Sequence, residues 1–267
     1  MECKGIRFIK LELLFTVLGF MFFLGCTEEK KDRITVAAAA NMQFAIKEIS
    51  DAFTKQTGIS CDLIVSSSGK LTAQIKEGAP YDIFVSANMK YPNDVYKEGF
   101  AVAPPKIYAY GQLVLWSLYH DIELSVAGLS NPKIQNIALA NPKTAPYGQA
   151  AVEFLKSKEV YTLVEDKLVY GESIAQTNQF ITSKASEIGF TAKSVVMSSQ
   201  TKRQGYWKEL DSSFYTPIAQ GVVLIKQENK EHMNSTKFYD FLFSKEAKKI
   251  LEDFGYLLDN REFNSLR

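Results

Sequence analysis

Four short segments combine small side chains with hydroxyl or amide groups where a predicted strand gives way to a predicted helix. They read Ala-Ala-Ala-Ala-Asn at 37–41, Ser-Ser-Ser-Gly-Lys at 66–70, Ala-Pro-Tyr-Gly-Gln-Ala at 145–150 and Gly-Glu-Ser-Ile-Ala at 171–175. The first turn of a helix leaves backbone N–H groups unpaired and carries a partial positive charge. Small side chains let an anion approach those groups, so the pattern favours anion binding by neutral donors.

Each of these segments taken singly also fits an ordinary helix start, because Ser and Asn commonly cap helices. Two features favour the anion reading: Asn41 and Ser68 add side-chain donors, and each half of the chain contributes two segments. If the halves face each other, four helix starts converge on one small anion. Composition alone does not specify which anion that is.

Strand-like and helix-like stretches alternate along the chain from residue 33. The predicted strands are 33–39, 59–65, 82–86, 137–140, 167–170, 188–191 and 217–225. The predicted helices are 41–56, 69–77, 147–156, 173–183 and 231–254, together with a helix at 88–97 that Pro92 breaks. Such alternation is typical of α/β folds, in which helices cover both faces of mixed, mostly parallel sheets. Ligands bind at the carboxyl ends of such strands, where the four segments lie.

About 240 residues are enough for two α/β units. The sequence contains no repeat, low-complexity stretch or long linker that would separate two independent domains. We therefore expect two lobes connected by strand crossovers near 111–117 and 215–222. The first lobe comprises 33–114 and 218–267, and the second comprises 115–217.

The N-terminus is typical of an export signal. Three basic residues, Lys4, Arg7 and Lys10, precede an apolar stretch at 13–24 that is too short for a comfortable membrane span. Cys26 follows a glycine and opens a polar run, which resembles a bacterial lipoprotein signal. That resemblance implies a removed signal at 1–25, a lipid on Cys26 and a polar tether at 26–32. An ordinary signal peptide with an incidental cysteine, or an uncleaved anchor, is the alternative.

The charge balance argues against a nucleic-acid partner. Removal of 1–25 takes away three of 31 basic and two of 30 acidic side chains, which leaves 28 of each, whereas nucleic-acid binders usually show a basic excess. Cys61 is then without a disulfide partner and is interpreted as a buried, inert thiol. His120 and His232 belong to no cluster with metal-ligand spacing, so we expect no cation site and no cofactor.

Three stretches of the sequence resemble the periplasmic molybdate-binding protein (ModA) family. They are Ala-Ala-Ala-Ala-Asn-Met at 37–42, Ala-Pro-Tyr-Gly at 145–148 and the long stretch from Ser-Ser-Gly-Lys to Val-Ser-Ala-Asn at 67–88. The likeness runs from about residue 33 to the C-terminus. It implies a two-lobed type II periplasmic binding protein fold with the ligand cleft between the lobes. It further implies molybdate or tungstate as the ligand and delivery to the permease of an ABC transporter. We expect a monomer without enzymatic activity.

Carried over residue by residue, the resemblance implies that five residues bind the oxyanion: Ala40, Asn41, Ser68, Tyr147 and Ile174. Ala40 and Ile174 are expected to use backbone groups. Some family members have serine in place of Asn41, together with a tyrosine just after the strand equivalent to 188–191. Here 189–192 reads Gly-Phe-Thr-Ala, so the Tyr147 hydroxyl is expected to take the place of that tyrosine.

The predicted donors suit molybdate, which is a fully deprotonated dianion near neutral pH. A site of donors alone disfavours protonated phosphate, because leaving its O–H unpaired costs about 1–3 kcal/mol. Rejection of sulfate would have to come from cavity size. Lys70, beside the second segment, is interpreted as a solvated lysine, since such exposed charges usually contribute little. Glu172 is interpreted as turned to solvent.

Three rival functions fit parts of the sequence. Ser-Ser-Gly-Lys at 67–70 matches the Ser-x-x-Lys motif of envelope hydrolases that react with penicillin, although the Ser-Asp-Asn and Lys-Thr-Gly partner motifs are absent. No His–carboxylate arrangement is visible that would activate a serine. A binding protein for a different oxyanion, such as sulfate or phosphate, is the second rival, and a purely structural envelope lipoprotein is the third.

Overall fold

The computed structural model describes residues 32–227 and 232–259, and the predicted signal, Cys26 and most of the tether lie outside them. Within these ranges the ten strands are β1 (Arg33–Ala39), β2 (Ser60–Ser66), β3 (Ile83–Val85), β4 (Lys106–Gly111), β5 (Leu113–Ser117), β6 (Ile137–Ala140), β7 (Leu168–Gly171), β8 (Ile188–Ala192), β9 (Tyr206–Glu209) and β10 (Ile218–Leu224). The nine α-helices of the same ranges are α1 (Gln43–Thr57), α2 (Ser68–Lys76), α3 (Lys90–Lys97), α4 (Pro146–Ser157), α5 (Tyr161–Val164), α6 (Ile174–Thr182), α7 (Lys193–Val196), α8 (Met233–Leu242) and α9 (Lys245–Asp253). In these parts of the chain, no helix is long and apolar enough to cross a membrane.

The strands form two five-stranded sheets, in the orders β2-β1-β3-β10-β4 and β7-β6-β8-β5-β9. In the first sheet β1 pairs in parallel with β2 and β3, and β10 lies antiparallel between β3 and β4. The second sheet repeats this plan, with β5 antiparallel between β8 and β9. Four of the five strands in each sheet therefore point the same way. This confirms the predicted two-lobed α/β fold with mostly parallel sheets.

The chain passes between the sheets twice. β4 ends at Gly111 in the first sheet, and β5 begins at Leu113 in the second. The return lies between Glu209, at the end of β9, and Ile218, at the start of β10. We call the part built on the first sheet the first lobe and the part built on the second sheet the second lobe. The numerical lobe boundaries given above stay a prediction.

Buried apolar side chains cover both faces of the first sheet. On one face, Phe53 of α1 packs edge-on against Phe238 of α8, with ring centroids 5.1 Å apart. On the other face, Leu71 and Ile75 of α2 pack beneath the strands. The second lobe has its own core, whose aromatic members include Trp116, Phe154 and Phe190. Three small first-lobe residues join that second core, which brings the lobes into contact: Ala39, Ala40 and Ala87.

One helix prediction is wrong. The helix at 88–97 is not broken, because α3 begins at Lys90 and Pro92 therefore lies in its first turn. A proline in the first turn removes no intrahelical hydrogen bond. The end predicted to be helical at 231–254 contains two helices in its described part, because the Ser244 hydroxyl accepts a hydrogen bond from the Ala247 N–H (3.2 Å) and caps the start of α9.

Candidate functional site

One cavity of about 190 Å³ lies where the two lobes meet. Its lining includes all five residues implicated by the sequence: Ala40, Asn41, Ser68, Tyr147 and Ile174. The remaining lining residues are small or apolar as well: Ala39, Ser67, Ala87, Ala145 and Pro146. Because these side chains crowd closely around the space, the cavity suits only a small ligand.

Four helix starts, two from each lobe, point at this cavity. In the first lobe these are the 3-10 turn Ala40–Met42, which leads into α1, and the start of α2 at Ser68. In the second lobe they are the starts of α4 and α6. Helical geometry leaves the N–H groups of each first turn without an intrahelical acceptor. Backbone donors and four partial positive charges therefore converge on one small volume.

Serine side chains cap two of these helix starts, and the caps do not use the first N–H group of either helix. The Ser67 hydroxyl accepts from the Lys70 N–H (3.4 Å), and the Ser173 hydroxyl accepts from the Gln176 N–H (3.5 Å). Both are ordinary N-caps, as the sequence allowed. The caps satisfy deeper N–H groups and therefore do not occupy the N–H groups of Ser68 and Ile174, two residues of the cavity lining.

Ser68 is buried at the start of α2, and its hydroxyl already makes one hydrogen bond within the protein. Its Oγ accepts a hydrogen bond from the Ala87 N–H at 3.0 Å. Because that bond uses a lone pair of the oxygen, the hydroxyl proton is left to be donated. Ser68 can therefore act toward a ligand as a donor through both its hydroxyl and its backbone N–H.

Asn41 is buried, and its side-chain amide bonds within the protein. Nδ2 donates to Oε1 of Gln220 (2.9 Å) and to the hydroxyl of Tyr256 (3.0 Å), which uses both of its N–H groups. The Asn41 carbonyl accepts from the hydroxyls of Ser194 (2.8 Å) and Tyr256 (3.1 Å). The side chain therefore holds the first loop in place. Because both of its N–H groups are used within the protein, the backbone N–H is the donor of Asn41 that stays a candidate for contact with a ligand.

Tyr147 is buried in the first turn of α4, and its hydroxyl accepts from Nε2 of Gln220 at 3.3 Å. The hydroxyl lies so close to Gly111 that a Cβ there would come within 2.0 Å of it. Burial raises the pKa of Tyr147 well above its usual value, and the neighbouring Tyr256 and Tyr215 raise it further. The hydroxyl therefore keeps its proton at any physiological pH.

The chain is similar to known proteins over most of its length. The family described as bacterial extracellular solute-binding protein matches residues 34–257. The chain belongs to this family. It is 35% identical over 227 residues to the molybdate-binding protein ModA of Rhodobacter capsulatus, covering 85% of this chain and 88% of that protein. It is 34% identical over 237 residues to the ModA of Azotobacter vinelandii, covering 87% and 92%. The solved structure of the Azotobacter vinelandii periplasmic molybdate-binding protein superposes with a TM-score of 0.79 at 30% identity, covering 85% of this chain and all of that one.

Sequence reasoning missed a polar cluster behind the cavity of this solute-binding protein. Its members are Tyr108, Gln220 and Tyr256, which we call the inner polar cluster, and all three are buried. Tyr108 lies on β4, Gln220 on β10 and Tyr256 near the C-terminus. None of them follows a helix start or belongs to a recognisable motif. Gln220 bonds to Asn41 and Tyr147, and Tyr256 bonds to Asn41. Tyr108 is connected to the site through its hydrogen bond to Gln220.

A second missed feature spans the mouth of the cavity. Nζ of Lys70, in the first lobe, lies 2.5 Å from Oε2 of Glu172 in the second. Both side chains are largely exposed to solvent, as the sequence interpretation expected, but the sequence did not reveal that they pair with each other. Two further hydrogen bonds join the lobes nearby: the Gly69 N–H to the Thr144 carbonyl (2.9 Å) and the Tyr91 hydroxyl to the Lys143 carbonyl (3.1 Å).

The surroundings of the Ser-x-x-Lys motif differ from those of a serine nucleophile. The ammonium of Lys70 is paired with Glu172, and the Ser67 hydroxyl caps α2. In the ranges 32–227 and 232–259, no group of three or more His, Cys, Asp or Glu side chains is arranged to hold a metal ion. Cys61 is half-buried and free, and burial raises its pKa to about 11. In the described residues, the ammonium of Lys70 is thus engaged by a carboxylate and not by a serine.

Proposed function

We propose that this chain captures molybdate or tungstate outside the cytoplasm and delivers it to the permease of an ABC importer. The observation that carries the proposal is the convergence of four helix starts, two from each lobe, on one cavity of about 190 Å³. None of the ten described residues that line it is charged. The names of the relatives reported above, which are molybdate-binding proteins, support the same ligand.

In this proposal the oxyanion receives hydrogen bonds from the backbone N–H groups of Ala40, Asn41 and Ile174. Ser68 donates through its hydroxyl and its backbone N–H, and Tyr147 donates through its hydroxyl. Every one of these groups is neutral. Neutral donors bind a dianion well when they are fixed before the ligand arrives, because little reorganisation is then needed. The burial of these residues supports such fixed positions.

The polarity of the donors decides which anions are accepted. The Ser68 oxygen already accepts from Ala87, and the Tyr147 oxygen already accepts from Gln220, so both hydroxyls are directed to donate. A monohydrogen phosphate ion would place an O–H against donors, which costs about 1–3 kcal/mol. Sulfate carries the charge of molybdate but is smaller, so its rejection rests on the size of the closed cavity. Molybdate and tungstate are nearly equal in size and both remain candidates.

The predicted export signal and Cys26 also support a proposal about where the protein is located. We propose that signal cleavage before Cys26 leaves a lipid-anchored monomer on the outer face of a membrane, tethered through 26–32. Mass spectrometry of the purified protein should find a lipid on Cys26. Cys26→Ser should release the protein into the soluble envelope fraction. An unmodified Cys26 in a cleaved, soluble protein would instead indicate an ordinary signal peptide.

Calorimetric titration with sodium molybdate tests the ligand. We expect saturable binding, competition by tungstate and a higher unfolding temperature with ligand, since a ligand that binds only the folded state stabilises it. Displacement of molybdate by sulfate or phosphate at comparable concentration would overturn the assignment. Acylation by a labelled β-lactam would indicate the hydrolase function instead.

A further inference from the structure

Gln220 connects the site loops of the two lobes. It lies on β10 with no exposed surface. Its Oε1 accepts from Nδ2 of Asn41 (2.9 Å) and from the hydroxyl of Tyr108 (2.7 Å). Its Nε2 donates to the hydroxyl of Tyr147 in the second lobe (3.3 Å). One side chain thus bonds to the first-lobe loop before α1 and to the second-lobe helix α4.

Each donor and each acceptor of this cluster can be assigned without conflict. Tyr256 gives its proton to the Asn41 carbonyl, so its oxygen is free to accept from Nδ2 of Asn41. The second N–H of Nδ2 then bonds to Oε1 of Gln220. With its oxygen so occupied, Gln220 turns Nε2 toward Tyr147. The Tyr147 oxygen therefore accepts from the protein, and its proton is left over.

Gly111 provides the space in which Gln220 and Tyr147 meet. A Cβ at this position would lie 2.0 Å from the Tyr147 hydroxyl and 2.5 Å from Nε2 of Gln220. Real Cβ atoms do not approach other atoms so closely, so any larger residue would push the pair apart. The hydrogen bond between Gln220 and Tyr147 therefore requires a glycine at the end of β4.

We propose that Gln220 is a positioning residue of the oxyanion site, which directs the Tyr147 proton toward the cavity and fixes the Asn41 loop against the second lobe. This inference rests on the proposed function, because it assumes that Tyr147 donates to the ligand. Gln220 itself is absent from the cavity lining and acts through its two neighbours. It makes the site select deprotonated anions, since every group that meets the ligand is then a donor.

The first test compares Gln220→Leu with Gln227→Leu in the full chain, purified in detergent and titrated with sodium molybdate. Gln227 follows β10 and donates to the Tyr81 carbonyl, away from the cavity, so its loss is a matched control. We expect Gln220→Leu to weaken molybdate binding by about ten-fold or more, a change of about 1.4 kcal/mol. Gln227→Leu should leave the affinity within about two-fold of the unchanged protein.

The second test uses Gln220→Glu, which makes the direction of the hydrogen bonds depend on pH. The neutral acid can still donate to Tyr147 and accept from Asn41, as glutamine does. The carboxylate can only accept, so it draws the Tyr147 proton away from the cavity. Burial raises the pKa of a carboxyl group above its usual value of about 4.3. We expect the molybdate affinity of this variant to fall as pH rises from 6 to 9, whereas that of the unchanged protein stays constant.

A double-mutant comparison tests whether Gln220 acts through the Tyr147 hydroxyl. Gln220→Leu and Tyr147→Phe should each weaken binding, and the double variant should be little weaker than the worse single one, because both act through the same hydroxyl. Gly111→Ala should weaken molybdate binding in the same way. It replaces Gln220→Leu in this test if Gln220→Leu lowers the yield of folded protein. Additive effects, or unchanged binding in Gln220→Leu together with a flat pH profile in Gln220→Glu, would overturn the inference alone. Absence of molybdate binding by the unchanged protein would overturn the proposed function as well.

Discussion

Lys70 and Glu172 join the two lobes at the mouth of the cavity, with Nζ of Lys70 2.5 Å from Oε2 of Glu172. The pair belongs to the first turn of α2 on one side and to the loop before α6 on the other. Both elements also supply donors to the cavity. If a ligand leaves by separation of the lobes on this side, the ion pair has to break first.

We predict that Lys70→Met speeds ligand release several-fold at low salt with little change in the unfolding temperature. An exposed ion pair contributes about 0–1 kcal/mol, and salt screens it over about 10 Å at 0.1 M. Stopped-flow measurement of molybdate release at low and high salt checks this. Lys47→Met is the matched control, because Lys47 pairs with Asp51 on the exposed side of α1. Equal release rates in both variants at low salt would contradict the prediction.

Adjacent serines allow binding to be separated from stability. Ser67→Ala removes an N-cap beside the cavity and should lower the free energy of unfolding by about 1 kcal/mol, with a much smaller loss of affinity than Ser68→Ala. Ser68→Ala removes a donor from the cavity and should weaken molybdate binding by about ten-fold or more. Calorimetry and thermal unfolding of both variants measure the two effects. Similar affinity losses in the two variants would show that Ser68 has no special part in binding.

The backbone donor of Ile174 can be removed by itself. Ile174 is the first residue of α6, a position where proline is well tolerated, and the preceding Ser173 is already extended (φ −153°, ψ 171°). Ile174→Pro therefore deletes one N–H group without breaking the helix. We expect it to bind molybdate at least about ten-fold more weakly than Ile174→Ala, which loses the buried side chain but keeps the N–H. Equal affinities in the two variants would show that the Ile174 N–H does not bind the ligand.

The buried tyrosines predict loss of stability at alkaline pH. Burial raises the pKa of Tyr108 and of Tyr147 well above the usual 10, and it also raises that of Tyr256. In the unfolded chain these groups lose protons near pH 10, whereas in the folded chain they keep them. Stability is therefore fully present below pH 10 and falls as pH rises toward the folded-state values. Thermal unfolding between pH 7 and 11.5 should show this decline, and Tyr108→Phe should make it shallower.

The inner polar cluster shows what spacing along a sequence does not reveal. Asn41 meets Gln220 across 179 residues and Tyr256 across 215. Lys70 meets Glu172 across 102 residues. The periodicity of strands and helices predicts contacts only between residues that are close in sequence. It therefore could not predict these pairs. The polarity of Tyr147 depends on the same distant contacts.

Local sequence was enough to predict the alternation of strands and helices, the four segments at helix starts and the neutral donor chemistry they offer. These are local properties, because an N–H group in a first helical turn lacks an acceptor whatever the rest of the chain does. The site residues inferred from the family resemblance stay predictions until binding is measured. The folded chain was needed to show that both amide protons of Asn41 are used internally, that Gln220 bonds to the Tyr147 hydroxyl and that Lys70 pairs with Glu172. Those contacts depend on which groups two separately folded sheets bring within about 3 Å of each other, a distance at which hydrogen bonds select one partner.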